Sequence, residues 1–489
     1  MASVLKRQAA AFGVQDVSRE PLAQFERPNT LAVVAGQQPG LFGGPLYTLY
    51  KALSAIALAR SISAASGRHV VPIFWVASDD HDFDEVRGTW LSDGSGDPIR
   101  LEVPARGGSG AASFWTLRLG ADMEGLIDRV AAALPASEFR DGVVESLRDA
   151  YAPGRSWTEA FARFMAGIVA PLGALVFDPS DSEAKAIASP VFEREIALAG
   201  RSSQAAIAAG KELERLGYHA QIARAGNELN FFWQEDAREP IRIEEDGSLR
   251  IGHSGRRLKP DALAAEVRAH PQKASPGVLL RPMMQDFLFP TAAYVGGPAE
   301  VAYWGQVHAL YPLFEMPAPA VSPRAGATLF ESKTERTLER FQIEWTSLAG
   351  DVETVIGRTL RAILPGDFPE TFEREREAWR QSFERLEKKV VAFDPSLEKA
   401  VTTARGKLEH EGQNLERKLM QVWKRRQEES VQQIRRAGSQ LFPNGSLQER
   451  VFSAVGFLAR HGSDLVPRVM SSLGGPGSHV PVPLSGREP

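Results

Sequence analysis

The 489-residue sequence predicts an α/β protein, a parallel sheet core with inserted segments, followed by a long α-helical coiled coil. Three observations carry that expectation. Apolar runs of strand length recur, each ending in glycine or polar residues just before a helical pattern. The first two runs enclose a helix, which is the grammar of a parallel crossover unit. After Phe330, apolar residues recur three and four apart between dense charge. In open parallel sheets ligands bind beyond the C-terminal strand ends, so the residues that close each run are where chemistry is expected.

The first run, Leu31 to Val34 (LAVV), reads as a buried strand. It enters the loop GQQPGLFGGPLYTLYK, after which Leu46, Leu49, Leu53, Ile56 and Ala57 keep helical spacing, with Pro45 suited to the first helical position. Val70 to Ala77 is the second strand, ending in SDDHDFDE. Gly173 to Asp181 and Thr291 to Gln306 repeat the pattern, and APAVS is the last strand-like segment. LNFFWQ and IRIEEDGSLRIG read as a β-hairpin insertion turned at Asp246-Gly247. The core is therefore expected over residues 1–330, with insertions at about 88–170 and 218–275.

Beyond it, one apolar stripe takes Leu338, Phe341, Trp345, Leu348, Val352 and Val355. A second takes Trp379, Phe383, Leu386, Val390 and Phe393. A third runs through Leu397, Val401, Ala404, Leu408, Leu415, Leu419 and Val422. Pro365, Pro369 and Pro395 separate them, so two or three long helices folded antiparallel are expected over 331–460. A helix from Ser396 to about Ala437 would be roughly 60 Å long. Such an arm suits homodimerisation, and 461–489 reads as a flexible or surface-draped tail.

Composition narrows the chemistry. A net charge of −4, from 57 basic and 61 acidic residues, gives no reason to expect nucleic acid or an anionic membrane. Zero cysteines removes disulfides, thiolate nucleophiles and Cys-ligated metals. MASVLKRQAAAFGVQD lacks an apolar signal region and no stretch is long enough for a membrane helix, so a cytoplasmic protein acting on small molecules is expected.

Four stretches carry candidate residues. In the first loop, Gln37, Gln38, Gly40, Gly43, Gly44, Pro45 and Tyr47 surround a helix N-terminus, where free N–H groups and the helix dipole favour an anion. Tight packing of a glycine loop is the alternative. In SDDHDFDE, Asp80, His81 and Asp82 suit general base chemistry, with an aspartate orienting the imidazole. The same trio could serve a metal-dependent hydrolase or transferase, or be a solvated acidic loop. Arg281, Gln285, Tyr294, Gly297, Glu300, Tyr303 and Trp304 form a third group, a polar and aromatic pocket wall or ordinary core. Arg324, in a loop of small residues, suits carboxylate or phosphate recognition or is a surface arginine. A noncatalytic scaffold recruiting partners through the coiled coil is a further reading.

Taken jointly, GQQPGLFGGPLYTLYK, PIFWVASDDHDFDEV, RPMMQDFLFPTAAYVGGPAEVAYWGQ and SPRAGATLFE, followed by a coiled coil, resemble the cysteine-adding enzyme family of bacillithiol synthesis. The resemblance covers about Val33 to the end of the chain. It implies a Rossmann-like core, a coiled-coil dimer, and a ligase adding cysteine to the amine of glucosaminyl malate. It also implies a core similar to the class I aminoacyl-tRNA synthetases. By that similarity ATP is the expected cofactor, with Gly43 and Pro45 at one end of the nucleotide site and Ser322 and Thr328 at the other. No resident metal is expected.

Overall fold

The computed structural model describes residues 1–93, 96–105, 112–235, 237–252 and 254–484. It divides into two units: Met1–Thr328 with Gln448–Val482, and Leu329–Leu447 with the segment from Pro483. In the first unit, β1 (Leu31–Gln37), β2 (Val70–Val76), β3 (Leu175–Phe177), β4 (Thr291–Gly296) and β5 (Ala320–Pro323) form one sheet, ordered β5-β4-β1-β2-β3. Every pairing in it is parallel. All five segments expected as strands therefore lie in this sheet. The strand order reverses at β1, which is where open α/β sheets form a ligand crevice.

The interiors of β1 and β2 are buried, so their sequences are continuous apolar runs rather than alternating ones. Trp75, Phe177 and Phe289 pack edge to face or tilted, with Phe177 5.0 Å from both partners. The helices Ala2–Ala11 and Arg19–Phe25 add Val4, Leu5 and Leu22 to this core. Against Val33, Ala35 and Val295, the helix Leu46–Ser66 presents Ala55 and Ala59, small enough for close approach. Register pairs Gln37 with Val76 and Ala35 with Val295, so β1, β2 and β4 end near one level. The loops leaving these three strands emerge along one edge.

The glycine loop folds back on itself. Phe42, Gly43 and Gly44 have φ of 52°, 88° and 68°. A Cβ on Gly40 would lie 2.8 Å from the Gly44 Cα, and one on Gly43 would lie 2.9 Å from the Phe164 ring. Trp157 Nε1 donates to the Pro39 carbonyl at 2.6 Å, and Ser453 Oγ to the Phe42 carbonyl at 3.1 Å. The glycines answer a packing demand.

The first insertion holds a hairpin, Gly88–Ser92 with Pro98–Glu102, and the helices Asp122–Ala133, Arg140–Ala150 and Trp157–Val169. The expected single hairpin of the second insertion is larger. Ala274–Pro276, Glu228–Gln234, Arg238–Ile243, Leu249–Ile251 and Arg256–Leu258 form, in that order, a five-stranded antiparallel sheet.

The C-terminal boundaries also differ from the expectation of an arm over 331–460 and a tail over 461–489. Gln448–Val482 belongs to the first unit. Phe452, Val455, Phe457, Leu458 and Val466 are buried, and the backbone is tied in by Leu46 N–H to the Phe452 carbonyl and Ser453 N–H to the Trp90 carbonyl. Residues 485–489 of the expected tail lie outside the described residues.

In the second unit, Phe368–Phe393 and Glu398–Arg426 form an antiparallel helical hairpin. Its register is fixed by Arg376 on Glu416 at 2.8 Å and Arg405 near Glu387 at 3.6 Å, with Gly412 facing the Trp379 ring. The expected continuous helix to about Ala437 breaks at Gln427 and resumes as Glu428–Leu441. Lys424, Arg425 and Arg426 close one helix and Glu428 and Glu429 open the next, the charge order that two helix dipoles favour. Among the described residues, no helix is long and apolar enough to cross a membrane.

Gly43→Ala should lower stability by about 1–3 kcal/mol, because positive φ and the Phe164 contact both oppose a side chain. Gly67→Ala, also at positive φ but with open space around its Cβ, should cost less. The two urea midpoints, compared with wild type, check the ranking.

Candidate functional site

A cleft of about 690 Å³ opens at the C-terminal ends of β1, β2 and β4. From β1 come Gly36 and Gln37, followed by Gln38. Lys51, on the helix after the glycine loop, donates to the Gly36 carbonyl at 3.0 Å and to Gln37 Oε1 at 2.7 Å, and pairs with Glu300. Glu300 sits in the first turn of the helix Pro298–Val307 that follows β4. Its carboxylate accepts from Gly297 N–H at 2.7 Å and from the Tyr294 hydroxyl at 2.5 Å. Burial pushes the Glu300 carboxyl up, but the Lys51 charge and these hydrogen bonds bring it below its ordinary value.

The acidic loop after β2 supplies the opposite charge. Asp79, 7% exposed, accepts from Lys185 Nζ at 2.6 Å, and Lys185 also donates to the Ala274 carbonyl at 2.9 Å. Asp80 accepts from Gln38 Nε2 and from its neighbour's backbone, His81 N–H, both at 2.7 Å. Burial pushes its carboxyl up; hydrogen bonds from His81 and Gln38 and the Arg238 charge outweigh that and hold it at about 2. Glu85 accepts from the same Gln38 amide at 3.0 Å.

The second insertion builds the facing wall. The Arg238 guanidinium lies 4.0 Å from the centroid of the Phe232 ring and donates to Ser275 Oγ at 2.8 Å and the Pro276 carbonyl at 2.7 Å. Arg224 donates to Asn230 Oδ1 at 3.2 Å, and Gly277 leaves room beside it. Arg281 stacks 5.1 Å from the Tyr294 ring and is steadied by Gln285 Oε1 at 2.9 Å.

Of the residues predicted from sequence, Gln37, Gln38, Tyr47, Asp80, Arg281, Tyr294, Gly297, Glu300, Tyr303 and Arg324 line this one cleft. The others stand elsewhere. His81 is off the lining, with Nδ1 3.3 Å from Arg238 Nη1; a guanidinium only donates, so that nitrogen accepts. The longer 3.5 Å approach of Nδ1 to Asp80 Oδ1 is the weaker contact. Asp82 caps the short helix Phe83–Val86 through Glu85 N–H at 3.3 Å. Gln285 and Trp304 are buried behind Arg281 and Tyr294. Ser322 lies within β5, and Thr328 Oγ1 meets His479 Nε2 at 2.8 Å.

The glycine loop does not offer its amides to an anion, as the sequence suggested for Gly40, Gly43, Gly44 and Pro45. The N–H groups of Gly40, Gly43, Gly44 and Leu46 donate to the carbonyls of Gln38, Gly40, Leu41 and Phe452. Arg324 is likewise committed: its fork grips both oxygens of Glu449, at 3.0 and 2.6 Å, with both side chains buried. Among the described residues, no group of three or more His, Asp or Glu is placed to hold a metal ion. Asp80, His81 and Asp82 diverge into the separate bonds just given.

Sequence reasoning missed Lys51, Asp79, Glu85, Arg224, Phe232, Arg238 and Arg450, all on the cleft. Lys51 had a signal: it lies one turn after Tyr47 as the first charged residue of its helix, with Arg60 the next. Arg224, Phe232 and Arg238 had none, because the tertiary fold of the insertion brings them there.

The comparisons with known proteins give the same two kinds of domain, with the coiled-coil match reaching past Leu447 into the segment that packs in the first unit. Residues 1–325 match the model of the bacillithiol biosynthesis BshC N-terminal Rossmann-like domain, and residues 327–476 that of the BshC C-terminal coiled-coil domain. A relative from Salinibacter ruber is 32% identical over 475 residues, covering 97% of this chain and 86% of its own. One from Koribacter versatilis is 35% identical over 460 residues, covering 94% and 85%. A third, from Solibacter usitatus, is 30% identical over 464 residues, covering 95% and 86%. Each carries the name "Putative cysteine ligase BshC".

Two variants check the electrostatics. Arg324→Ala strands the buried Glu449 carboxylate and should destabilise the fold by about 3–5 kcal/mol, measured by urea unfolding. Because the Asp80 pKa falls on folding, the unfolded chain binds more protons between its ordinary 3.8 and about 2. Stability from this group is full above that window and lost as pH falls through it. Asp80→Asn should therefore flatten this part of the acid-unfolding profile.

Proposed function

The chain belongs to the bacillithiol biosynthesis BshC family, and from that membership we propose that it is an amide-forming ligase. In this reading it joins the carboxyl group of L-cysteine to the amine of glucosaminyl malate in the last step of bacillithiol synthesis. The observation that carries the reading is one cleft at the sheet's C-terminal edge lined by both carboxylates and guanidinium groups. Glucosaminyl malate carries an ammonium at one end and a dicarboxylate at the other, so it needs both signs of charge. A volume of about 690 Å³ is within the range of small-molecule sites.

Amide formation in water requires an activated carboxyl group, and ATP, as a further substrate, would supply that activation. The buried glycine loop is not a fit for its phosphates; the guanidinium groups of the cleft are. The acceptor ammonium first gives a proton to solvent; the free amine then attacks the activated carbonyl carbon, the bond to the leaving oxygen breaks, and the nitrogen releases its second proton to solvent. Asp80, ionised down to about pH 2, is too weak a base for an ammonium proton but well suited to stabilise positive charge growing on the attacking nitrogen. His81 keeps that carboxylate oriented through its backbone N–H, which donates to Asp80 Oδ1 at 2.7 Å. Asp82 fixes the loop by capping. The same reading makes the enzyme a cytoplasmic homodimer joined through its coiled coil, where Leu386, Leu408, Leu415 and Val422 remain exposed in the single chain.

Purified protein with cysteine, glucosaminyl malate and ATP should yield the condensed thiol, identified by mass, with one equivalent of AMP or ADP. Folded protein that forms no product under any nucleotide condition would sink the reading. Asp80→Asn should lower kcat by about 10²–10³-fold, and Asp82→Asn far less, in the same assay.

A further inference from the structure

We infer that Arg450, carried to the cleft by the returning segment Gln448–Val482, binds an oxyanion of a substrate. The identity of the substrates rests on the ligase reading; the anion site itself rests on geometry. Six cationic side chains line the cleft: Lys51, Arg224, Arg238, Arg281, Arg324 and Arg450. Five are engaged within the protein. Lys51 holds Glu300 and Gln37, and Arg324 holds Glu449. Arg224 is bound to Asn230, Arg238 to Ser275 and Pro276, and Arg281 to Gln285.

Arg450 differs from these. Among the described residues, no hydrogen bond or ion pair within the protein joins its guanidinium, and the residue is exposed. Its backbone is nevertheless fixed. Glu449 on one side is clamped by Arg324, Gln448 is 1% exposed, and Phe452 N–H donates to the Gln448 carbonyl at 3.0 Å. A free five-donor fork on a rigid backbone at a concave wall is matched by two oxygens of one anion. Tyr47 locates it: the charges of Arg450, Arg324, Glu85 and Glu300 all bear on that phenol, whose hydroxyl lies 3.5 Å from the Gln37 amide. Arg324 looked from sequence like the anion-binding arginine. The structure assigns it instead to holding the segment that presents Arg450.

The matching chemistry is a carboxylate of the malyl group or a phosphate of the nucleotide. Arg450→Ala and Arg450→Lys in the full chain separate them. Glucosaminyl malate and ATP are titrated singly by calorimetry, and each is varied in steady-state turnover. The Ala variant should bind one of the two about 10–100-fold more weakly, with KM raised, kcat nearly unchanged and thermal melting unaltered; Lys should restore part of the loss. Weakening confined to glucosaminyl malate assigns the malyl carboxylates, and weakening confined to ATP assigns a phosphate. If both ligands bind the Ala variant as they bind wild type, the inference is overturned while turnover by wild type still upholds the ligase reading. If folded wild type binds them but makes no product, the ligase reading fails and the binding comparison still decides Arg450. Wild type that binds neither ligand overturns both.

Discussion

One buried ammonium holds the cleft in shape. Lys51 has three N–H donors, and three acceptors meet it: the Gly36 carbonyl and Gln37 amide at the end of β1, and Glu300 after β4. Those strands adjoin at the reversal point of the sheet. Removing such a charge from water is tolerable only with a full set of partners. Glu300 meets the same condition through Gly297 N–H and the Tyr294 hydroxyl. The node therefore couples the two strand ends whose adjoining loops make the cleft floor.

The same rule of compensated charge governs the walls. Asp79 is matched by Lys185, and Glu449 by Arg324, each pair buried. Arg238 spreads its charge over the Phe232 ring and two oxygen acceptors. These pairs join segments far apart in the chain, so the site is assembled by tertiary structure rather than by any one loop. Groups satisfied in this way hold position. Groups left open toward the cleft are those available to a ligand.

Much of the fold was legible because strand and helix periods are written locally. LAVV and PIFWV are continuous apolar runs, the mark of strands covered on both faces, and both lie in the parallel sheet. The long helical stripes were equally plain. The break at Gln427 was written in charge order rather than apolar spacing, which is why counting hydrophobic positions passed over it. At the site, Gln37, Asp80, Tyr294 and Glu300 were readable from their place just after or at the ends of strands. The glycine loop misled for a physical reason: positive φ serves backbone packing as well as anion binding, and only the carbonyl partners of its amides distinguish the two. Arg324 misled likewise, since its partner Glu449 lies 125 positions away.

The first unit is discontinuous in sequence, because Gln448–Val482 completes it after the whole of Leu329–Leu447 has intervened. A ribosome reaches the missing piece late. At about 5–20 residues per second, the helical arm takes roughly 6–24 s to emerge, and throughout that time the Glu449 partner of Arg324 does not yet exist. The nascent sheet waits with a buried-site guanidinium uncompensated, so closure of the first unit follows synthesis of the arm, which is free to fold first.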